Sequence, residues 1–225
     1  MTRNATTRRD FLKASAMAGG ALGLGVTPVS LAGASATGPA GVRWGAPPRK
    51  LKILVLGGTG FIGPHMVRYA LERGHELTLF NRGRSNTYLF PDVEKLVGDR
   101  NGDLESLRGR TWDVCMDNNA SNIDWVEYST EFLKDSVGLY FYVSTRSAYS
   151  DLSAIPMHSG APTFTYETAG VEPGAERLPY GLQKALCERQ AQKVFGSMSN
   201  VVRPGLIIGP GDRTDRFTDW PVRIH

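Results

Sequence analysis

Cysteine, histidine and net charge are all scarce in this chain of 225 residues, and each scarcity excludes a class of protein. Two cysteines, Cys115 and Cys187, cannot form the disulfide framework on which small secreted folds depend. Cys115 lies in an apolar, strand-like segment, so we expect two buried free thiols rather than a bridge. The 4 histidines are scattered and lack the spacing of metal ligands, and the sequence therefore predicts no metal site.

The net charge is also close to zero when the first 36 residues are excluded. Four of the 26 basic residues and one of the 22 acidic residues lie in that segment, so the remaining 189 residues carry 22 and 21, a net charge of +1. This balance favours neither nucleic acid nor an anionic membrane as a partner. A length of 189 residues is enough for one domain with a sizeable core. We therefore expect no nucleic acid as a partner.

Long apolar runs are missing as well, and the N-terminus has the features of an export signal instead. Residues 7–13, TRRDFLK, match the twin-arginine motif in every position, and a weakly apolar, Ala/Gly-rich run follows from 14 to 31. A basic amphipathic helix or a membrane anchor is the alternative, but this run is too weakly apolar for a bilayer span. The sequence predicts a twin-arginine signal peptide over residues 1–36, the export machinery as a partner, a periplasmic or extracellular location, and a Gly/Pro-rich linker over 37–50.

The most informative stretch begins with four consecutive apolar residues, Ile53 to Leu56, typical of a strand buried on both faces of a parallel sheet. Four glycines within the next seven residues follow, and then apolar residues recur at helical spacing. Strand, glycine turn and helix in that order form a dinucleotide-binding fingerprint, in which backbone N–H groups approach a pyrophosphate at a helix N-terminus. A purely structural tight turn is the alternative. The predicted cofactor contacts are Gly57, Gly58, Thr59, Gly60, Phe61, Ile62 and Gly63.

The second predicted strand, Glu76 to Phe80, ends where such folds meet the adenosine ribose. An acidic residue there would favour NAD, whereas an arginine accommodates the 2′-phosphate of NADP. This chain has Asn81 and Arg82 at that point, with Arg84 close by. The alternative is that both arginines are merely solvated in a loop. With no acidic residue present to repel a phosphate, the sequence favours NADP over NAD.

Polar residues after the third and fourth strands extend the candidate cofactor site. Further strands are predicted over residues 93–97, 113–117, 138–143 and 200–203. Ligands of open α/β sheets lie beyond the carboxyl ends of strands, which makes candidates of Asp99, Arg100 and Asn118. Six strands that alternate with helices predict an α/β fold with a doubly wound parallel sheet. The irregular residues 150–179 predict a substrate-side loop, because they are long for a connection in a compact domain.

A candidate acid–base pair, Tyr180 and Lys184, opens the helix predicted to run to Phe195. A spacing of four residues places both side chains on one helix face. A phenol alone is a poor base, but a neighbouring ammonium stabilises its phenolate, so the pair can exchange a proton with a substrate oxygen. The alternative is a solvated helix face, which is what this spacing usually marks. The preceding strand favours acid–base chemistry because it ends in hydroxyl residues.

Together these segments resemble the short-chain dehydrogenase/reductase superfamily, in its extended or atypical branch of NAD(P)-dependent epimerases and dehydratases. The resemblance covers residues 51–212 and depends on the glycine turn, the hydroxyl segment 144–149, the Tyr180/Lys184 pair and the segment 203–210. It implies a Rossmann-type NAD(P)-binding domain over residues 51–225. It also implies that Tyr180 is the catalytic acid/base and that Lys184 holds the nicotinamide ribose.

The resemblance further implies that Thr145 binds the reacting oxygen, with Ser144 as the fallback. The expected protein is an exported oxidoreductase, epimerase or dehydratase acting on a hydroxyl- or carbonyl-bearing small molecule, such as a nucleotide sugar. Two departures from the family pattern are the long segment between Thr145 and Tyr180 and the end of the chain soon after the sixth strand, which predicts that the C-terminal substrate portion is largely missing. The alternatives are a non-catalytic nucleotide-binding or interaction protein and an inactive fragment. A homodimer is left open.

Overall fold

A parallel sheet of six strands organises the chain in its computed structural model, which describes residues 49–118, 120–153, 155–212, 214, 216 and 219–224. The strands are β1 (Lys52–Leu56), β2 (Glu76–Asn81), β3 (Glu94–Val97), β4 (Trp112–Asp117), β5 (Val137–Val143) and β6 (Ser199–Val202). Their order across the sheet is β3-β2-β1-β4-β5-β6. The order reverses between β1 and β4, so the loops that leave these two strands diverge and open a crevice at their carboxyl ends.

Within the described residues, four α-helices accompany the sheet. They are α1 (Gly63–Glu72), α2 (Ile123–Leu133), α3 (Tyr180–Phe195) and α4 (Asp219–Ile224). α1 has Pro64 in its first turn, where a missing N–H costs nothing, and the Asn122 side chain caps α2 by accepting a hydrogen bond from the Asp124 N–H. α3 follows Pro179 and ends at Gly196, which has a φ of +53°. Local capping and turn residues therefore define the bounds of these three helices.

Successive residues of β1 enter two separate hydrophobic clusters, one on each face of the sheet. Val55 shares a cluster with Val67 of α1, whereas Leu56 shares the other with Leu133 of α2 and Ala191 of α3. Because side chains alternate along a strand, a strand buried on both faces must be apolar at every position, which explains the continuous apolar run. This two-sided burial confirms the predicted Rossmann-type, doubly wound fold.

The connections around β3 differ from the predicted alternation of strands and helices. β2 and β3 are joined without a helix, and β3 leads to β4 through a single 3₁₀ turn at Glu105–Leu107. Gly102 and Gly109 lie on either side of that turn with φ of +102° and +74°. Such backbone conformations are readily accessible to glycine and interrupt a helix, so the connection stays short and irregular.

The predicted irregular segment 150–179 is attached to the helix layer rather than extended into solvent. Tyr149 and Thr163 form an isolated antiparallel bridge, and the Arg189 guanidinium on α3 donates to the Phe164 carbonyl at 2.6 Å. The predicted signal peptide and most of the predicted linker, residues 1–48, lie outside the described residues. None of the described helices has the length and apolar character needed to cross a membrane.

Both thiols are buried and unbridged, as the sequence predicts. Cys115 lies on β4 and Cys187 lies on α3, both in the cluster that α2 and α3 cover. Burial raises the pKa of Cys115, and it raises the pKa of Cys187 to about 11. A thiol that stays protonated is a poor nucleophile.

We expect neither cysteine to react with Ellman's reagent at pH 8 in the native chain, and both to react in guanidinium chloride. The raised pKa also means that the free energy of unfolding falls as the pH rises above the ordinary value of 9.0, because the unfolded chain releases the thiol proton first. Thiol labelling with and without denaturant checks the burial, and a Cys115→Ser variant assigns each signal. Fast native labelling of either thiol would contradict the placement.

Candidate functional site

A cleft of about 790 Å³ opens at the carboxyl ends of β1, β4 and β5, where the strand order reverses. The glycine turn after β1 forms one wall, and the ends of β4 and β5, the start of α3 and the segment after β6 form the others. The predicted residues that line it are Gly57, Gly58, Gly60, Phe61, Ile62, Gly63, Asn118, Ser144, Thr145, Tyr180 and Lys184. One cleft therefore joins the predicted cofactor turn to the three predicted catalytic side chains.

Two glycines of the turn adopt backbone conformations that other residues avoid. Gly57 and Gly58 have φ of +108° and +89°, and the Gly57 N–H donates to the Phe80 carbonyl at 2.8 Å, which fixes the turn to β2. A Cβ added to Gly63 would stand 2.6 Å from the Gly58 carbonyl carbon, so the first residue of α1 packs directly on the turn. This contact is the close helix–strand packing that the sequence predicts for the last glycine of the motif.

Gly60 has a different environment, which fits a bound pyrophosphate. A Cβ added there would meet no heavy atom within 4 Å, and Gly60 borders both the large cleft and a smaller neighbouring cavity. The turn therefore has open space beside its backbone, next to the start of α1. Backbone N–H groups at a helix start form a favourable environment for a phosphate, and the residues present fit the dinucleotide that the motif predicts.

The smaller cavity, about 170 Å³, lies on the β2 and β3 side of the glycine turn. Its walls include the remaining predicted cofactor residues, which are Thr59, Asn81, Arg82, Asp99 and Arg100, together with Arg84 and Ser85. The Asn81 side chain accepts from the Gly83 N–H at 2.9 Å and thus orders the turn that carries both exposed arginines. All the predicted cofactor residues border one of the two cavities.

Asn86 was not predicted as a site residue, although it connects the loop after β2 to the glycine turn. Its Nδ2 donates to the Thr59 carbonyl in the glycine turn at 2.8 Å, and its own φ is +49°. Asparagine tolerates this left-handed conformation better than most residues, so the sequence offers a turn signal at this position. The partner lies 27 residues away, and the local pattern does not reveal it.

Arg100 borders the smaller cavity, but its guanidinium is bound within the protein. It donates two hydrogen bonds to the buried Asp117 carboxylate, at 2.7 and 2.6 Å, and a third to the Ser129 hydroxyl on α2. The Tyr140 hydroxyl also donates to Asp117 at 2.7 Å, and burial followed by the Asp117 charge raises the Tyr140 pKa. The interaction fixes the loop after β3 to the end of β4.

Lys184 has its ammonium group at the junction of β4 and β5. Its exposure is 4%, and Nζ donates to the Ala120 and Val143 carbonyls, both at 2.7 Å. The ammonium also lies 4.4 Å from the centre of the Tyr142 ring. Desolvation by burial lowers the pKa of Lys184, an effect that the Asp117 charge opposes. With two N–H groups engaged by carbonyls, one of the three remains for a ligand in the cleft.

Tyr180 is the first residue of α3, and it is half exposed where it borders the cleft. Its hydroxyl forms no hydrogen bond within the described part of the chain, and in particular none with Lys184. The spacing of four residues does put both side chains at the cleft, as predicted, but the lysine donates to backbone carbonyls instead. The Tyr180 hydroxyl is therefore free to meet a ligand.

Gly181 is a second residue of the site that was not predicted from the sequence. A Cβ at this position would overlap the Ser147 carbonyl oxygen, so the first turn of α3 rests directly on the segment after β5. Only a glycine permits this approach, which sets the distance between Tyr180 and the hydroxyl segment. The sequence feature that could have indicated this close approach is the glycine directly after a candidate catalytic residue.

The hydrogen bonds of the hydroxyl segment distinguish Thr145 from Ser144, the two candidates for binding the reacting oxygen. Thr145 caps the 3₁₀ turn Arg146–Ala148, its Oγ1 accepting from the Ser147 N–H at 3.2 Å, and its own hydroxyl proton is left for a ligand. Ser144 is buried and donates its proton to the Glu188 carboxylate. The geometry favours Thr145 over the fallback Ser144.

Glu188 also anchors an ion pair beneath the segment after β6. The Arg203 guanidinium donates to Glu188 at 2.7 to 3.1 Å, to the Tyr149 hydroxyl at 3.1 Å and to the Ser159 carbonyl at 2.8 Å. The bond to Glu188 is the main reason that the pKa of Arg203 is raised. One guanidinium thus holds α3, the end of β5, the end of β6 and the irregular segment together.

A family model and curated proteins match this chain. The model of the NAD dependent epimerase/dehydratase family matches residues 53–104, from β1 to the loop after β3. The 2-alkyl-3-oxoalkanoate reductase of Stenotrophomonas maltophilia (strain K279a) is 29% identical over 181 residues, which are 72% of this chain and 53% of that protein. The chloroplast stem-loop binding protein of 41 kDa b of Arabidopsis thaliana is 29% identical over 134 residues, 52% of this chain and 35% of that protein.

Solved structures share the fold. A UDP-galactose 4-epimerase superposes with a TM-score of 0.60 at 23% identity, over 77% of this chain and 62% of its own. The dTDP-glucose 4,6-dehydratase of Bacillus anthracis str. Ames, solved in complex with NAD, gives a TM-score of 0.55 at 23% identity over 77% and 60%. Residues 53–104 are thus similar to the NAD dependent epimerase/dehydratase family, and the solved structures show that the fold is shared. The chain spans about half the length of the first curated relative and about a third of the second.

We expect Gly63→Ala to lower the melting temperature, because its Cβ would collide with the Gly58 backbone, which cannot move without opening the turn. A loss of about 1–3 kcal/mol in the free energy of unfolding is typical of such overpacking. Gly60→Ala is the matched control, since its Cβ meets no heavy atom within 4 Å. Thermal unfolding followed by circular dichroism compares the two, and equal melting temperatures would contradict the close packing of α1.

Proposed function

We propose that the chain is an NAD(P)-dependent oxidoreductase of the epimerase/dehydratase type, acting on a small molecule that bears a hydroxyl or carbonyl group. The observation that supports this proposal is the single cleft bordered by the glycine turn, Thr145, Tyr180 and Lys184. Fold likeness alone would not support it, because function is set by the residues of the site. A phosphate-binding turn and an acid–base group in one cleft are what hydride-transfer enzymes require.

The chain's own residues have distinct roles in this proposal. The nicotinamide, when bound, supplies or accepts the hydride. The glycine turn and the start of α1 bind the pyrophosphate, and Lys184 binds the adjoining ribose through its remaining N–H group. Lys184 is already held by the Ala120 and Val143 carbonyls, so little further ordering is needed when the cofactor binds.

Proton transfer is the role of Tyr180. In the reducing direction its hydroxyl gives a proton to the substrate oxygen as the carbonyl carbon gains the hydride, and oxidation reverses both transfers. Thr145 donates a hydrogen bond to the same oxygen and so stabilises the charge that develops there.

NADP is the proposed cofactor rather than NAD. Arg82 and Arg84 border the small cavity beside the glycine turn, and the end of β2 offers Asn81 where an acidic side chain would repel a phosphate. A guanidinium binds a phosphate through two parallel hydrogen bonds. The lining of this cavity is the observation that supports the choice of NADP.

NADPH should bind the full chain more tightly than NADH, and Arg82→Ser should remove most of the difference. We expect the Kd for NADPH to rise about tenfold in this variant while the Kd for NADH changes less than about threefold, since only NADPH carries the phosphate. A titration of nucleotide fluorescence measures both. Arg177→Ser, which removes the same charge from an exposed site outside the cavities, is the matched control. Equal affinities in the unmodified chain would contradict the NADP assignment.

Substrate probes follow from the similar proteins. A 2-alkyl-3-oxoalkanoate is the first, because the first curated relative is named a reductase of that compound, and UDP-galactose is the second, because an epimerase of that sugar shares the fold. We expect Tyr180→Phe to lower turnover of the accepted probe by about 10²- to 10⁴-fold. Its NADPH affinity and melting temperature should not change, because the Tyr180 hydroxyl is unpaired.

Absorbance of NADPH at 340 nm follows turnover of the oxo acid, and product chromatography follows the sugar. Tyr128→Phe, which removes a hydroxyl from an exposed tyrosine on α2, serves as the matched control and should retain full turnover. Turnover by Tyr180→Phe at the unmodified rate would exclude this tyrosine as the proton donor.

A second candidate function is non-catalytic binding. It is favoured by the likeness to a plant protein named for stem-loop binding. Against it stand the net charge of +1 over residues 37–225, which is small for a nucleic-acid surface, and the complete Thr145/Tyr180/Lys184 set. Binding of NADPH without turnover of any probe would favour this candidate.

Export by the twin-arginine route remains part of the proposal. The motif at residues 7–13 supports it, and that route carries proteins that have already folded. A domain that binds NAD(P) would then load its cofactor in the cytoplasm before transport.

A further inference from the structure

One arginine of the cleft has no role in the proposed cofactor site or in the acid–base group. Arg146 directly follows Thr145 and borders the cleft. Its backbone N–H donates to the Pro204 carbonyl at 2.8 Å, and its side-chain Cδ lies 4.0 Å from where a Cβ on Gly205 would stand. The exposed Arg146 side chain therefore runs beside Gly205 at the cleft wall.

Among the residues that the structure describes, no carboxylate balances the charge of Arg146. Arg100 and Arg203 are paired with Asp117 and Glu188, whereas no acidic side chain of the described residues forms an ion pair with Arg146. Arg216 also borders the cleft, and its charge acts on Asp212. Arg146 is thus a cationic group at the catalytic end of the cleft that is available to an anion.

The wall next to Arg146 is apolar. Leu206 and Ile207 border the same cleft, and Leu206 is 70% exposed. Gly205, just before them, leaves space at this wall, because a Cβ there would meet only the Arg146 side chain within 4 Å. Aliphatic surface of this kind gains free energy when the apolar part of a ligand covers it. A hydroxyl-rich sugar would not supply that apolar part.

We infer that the second ligand of the cleft is an amphiphilic anion, an oxo or hydroxy compound whose aliphatic body packs on Leu206 and Ile207 and whose carboxylate or phosphate binds Arg146. A guanidinium binds either anion through two parallel N–H···O bonds. Because Arg146 is the chain neighbour of Thr145, the anion and the reacting oxygen belong to the same end of the ligand. This inference rests on the proposed function, because it requires that the oxo or hydroxy group of the ligand contacts Tyr180.

Calorimetric titration of the full chain with octanoate, octyl phosphate and 1-octanol, in the presence and absence of NADP⁺, tests this inference. The three probes share an aliphatic body and differ in the headgroup, so their comparison isolates the anion. We expect at least one anion to bind about tenfold or more tightly than 1-octanol, and the tighter of the two identifies the headgroup as carboxylate or phosphate.

Arg146→Gln should remove this preference and Arg146→Lys should retain part of it, because lysine keeps the charge but not the paired geometry. Arg177→Gln, the matched loss of an exposed arginine outside the cleft, should retain all of it. Circular dichroism of each variant verifies that it is folded. Equal binding of octanoate, octyl phosphate and 1-octanol, or an anion preference that survives in Arg146→Gln, would overturn the inference.

An NADPH titration of the same samples separates this outcome from failure of the proposed function. A chain that binds NADPH but shows no anion preference overturns the ligand inference and leaves the proposed cofactor site intact. A chain with a preference that depends on Arg146, but without NADPH binding, supports the ligand inference and overturns the cofactor site.

Discussion

The backbone contact between Gly63 and Gly58 is the constraint on which the rest of the site depends. A helix can begin this close to the end of a strand only where its first residue, here Gly63, carries no Cβ. The contact brings the first turn of α1 to the crevice between β1 and β4. Both cavities share Gly57 and Gly60 as a wall, and their positions therefore follow from this one approach.

Buried charges fix the other walls at the carboxyl edge of the sheet. Asp117 receives Arg100, Glu188 receives Arg203, and the Lys184 ammonium is held by two carbonyls. Removing a charge from water is costly, and such groups persist where protein hydrogen-bond partners replace the water. Each interaction joins segments that are distant in the sequence. The loops of the cleft are consequently positioned by polar contacts, while the apolar clusters determine the sheet beneath them.

The sequence predicted the features that arise from neighbouring residues. The apolar run of β1, the glycine turn and the start of α3 are local patterns, and the structure has them where they were expected. Partners far along the chain were not predictable. Lys184 meets a carbonyl 64 residues away, and the guanidinium of Arg100, a predicted cofactor contact, donates to Asp117. Thr145 was separable from Ser144 only once Glu188 was seen to accept the Ser144 proton.

The hydrogen bond from Asn86 to the Thr59 carbonyl has a consequence for redesign of coenzyme use. The loop with Arg82 and Arg84 has left-handed backbone at Gly83 and again at Asn86, and the bond fastens it to the glycine turn. Exchanging an arginine alone leaves the loop in the shape set by these two residues. An engineer who transplants a different specificity should therefore move residues 82–86 as one cassette and retain the acceptor carbonyl that holds it.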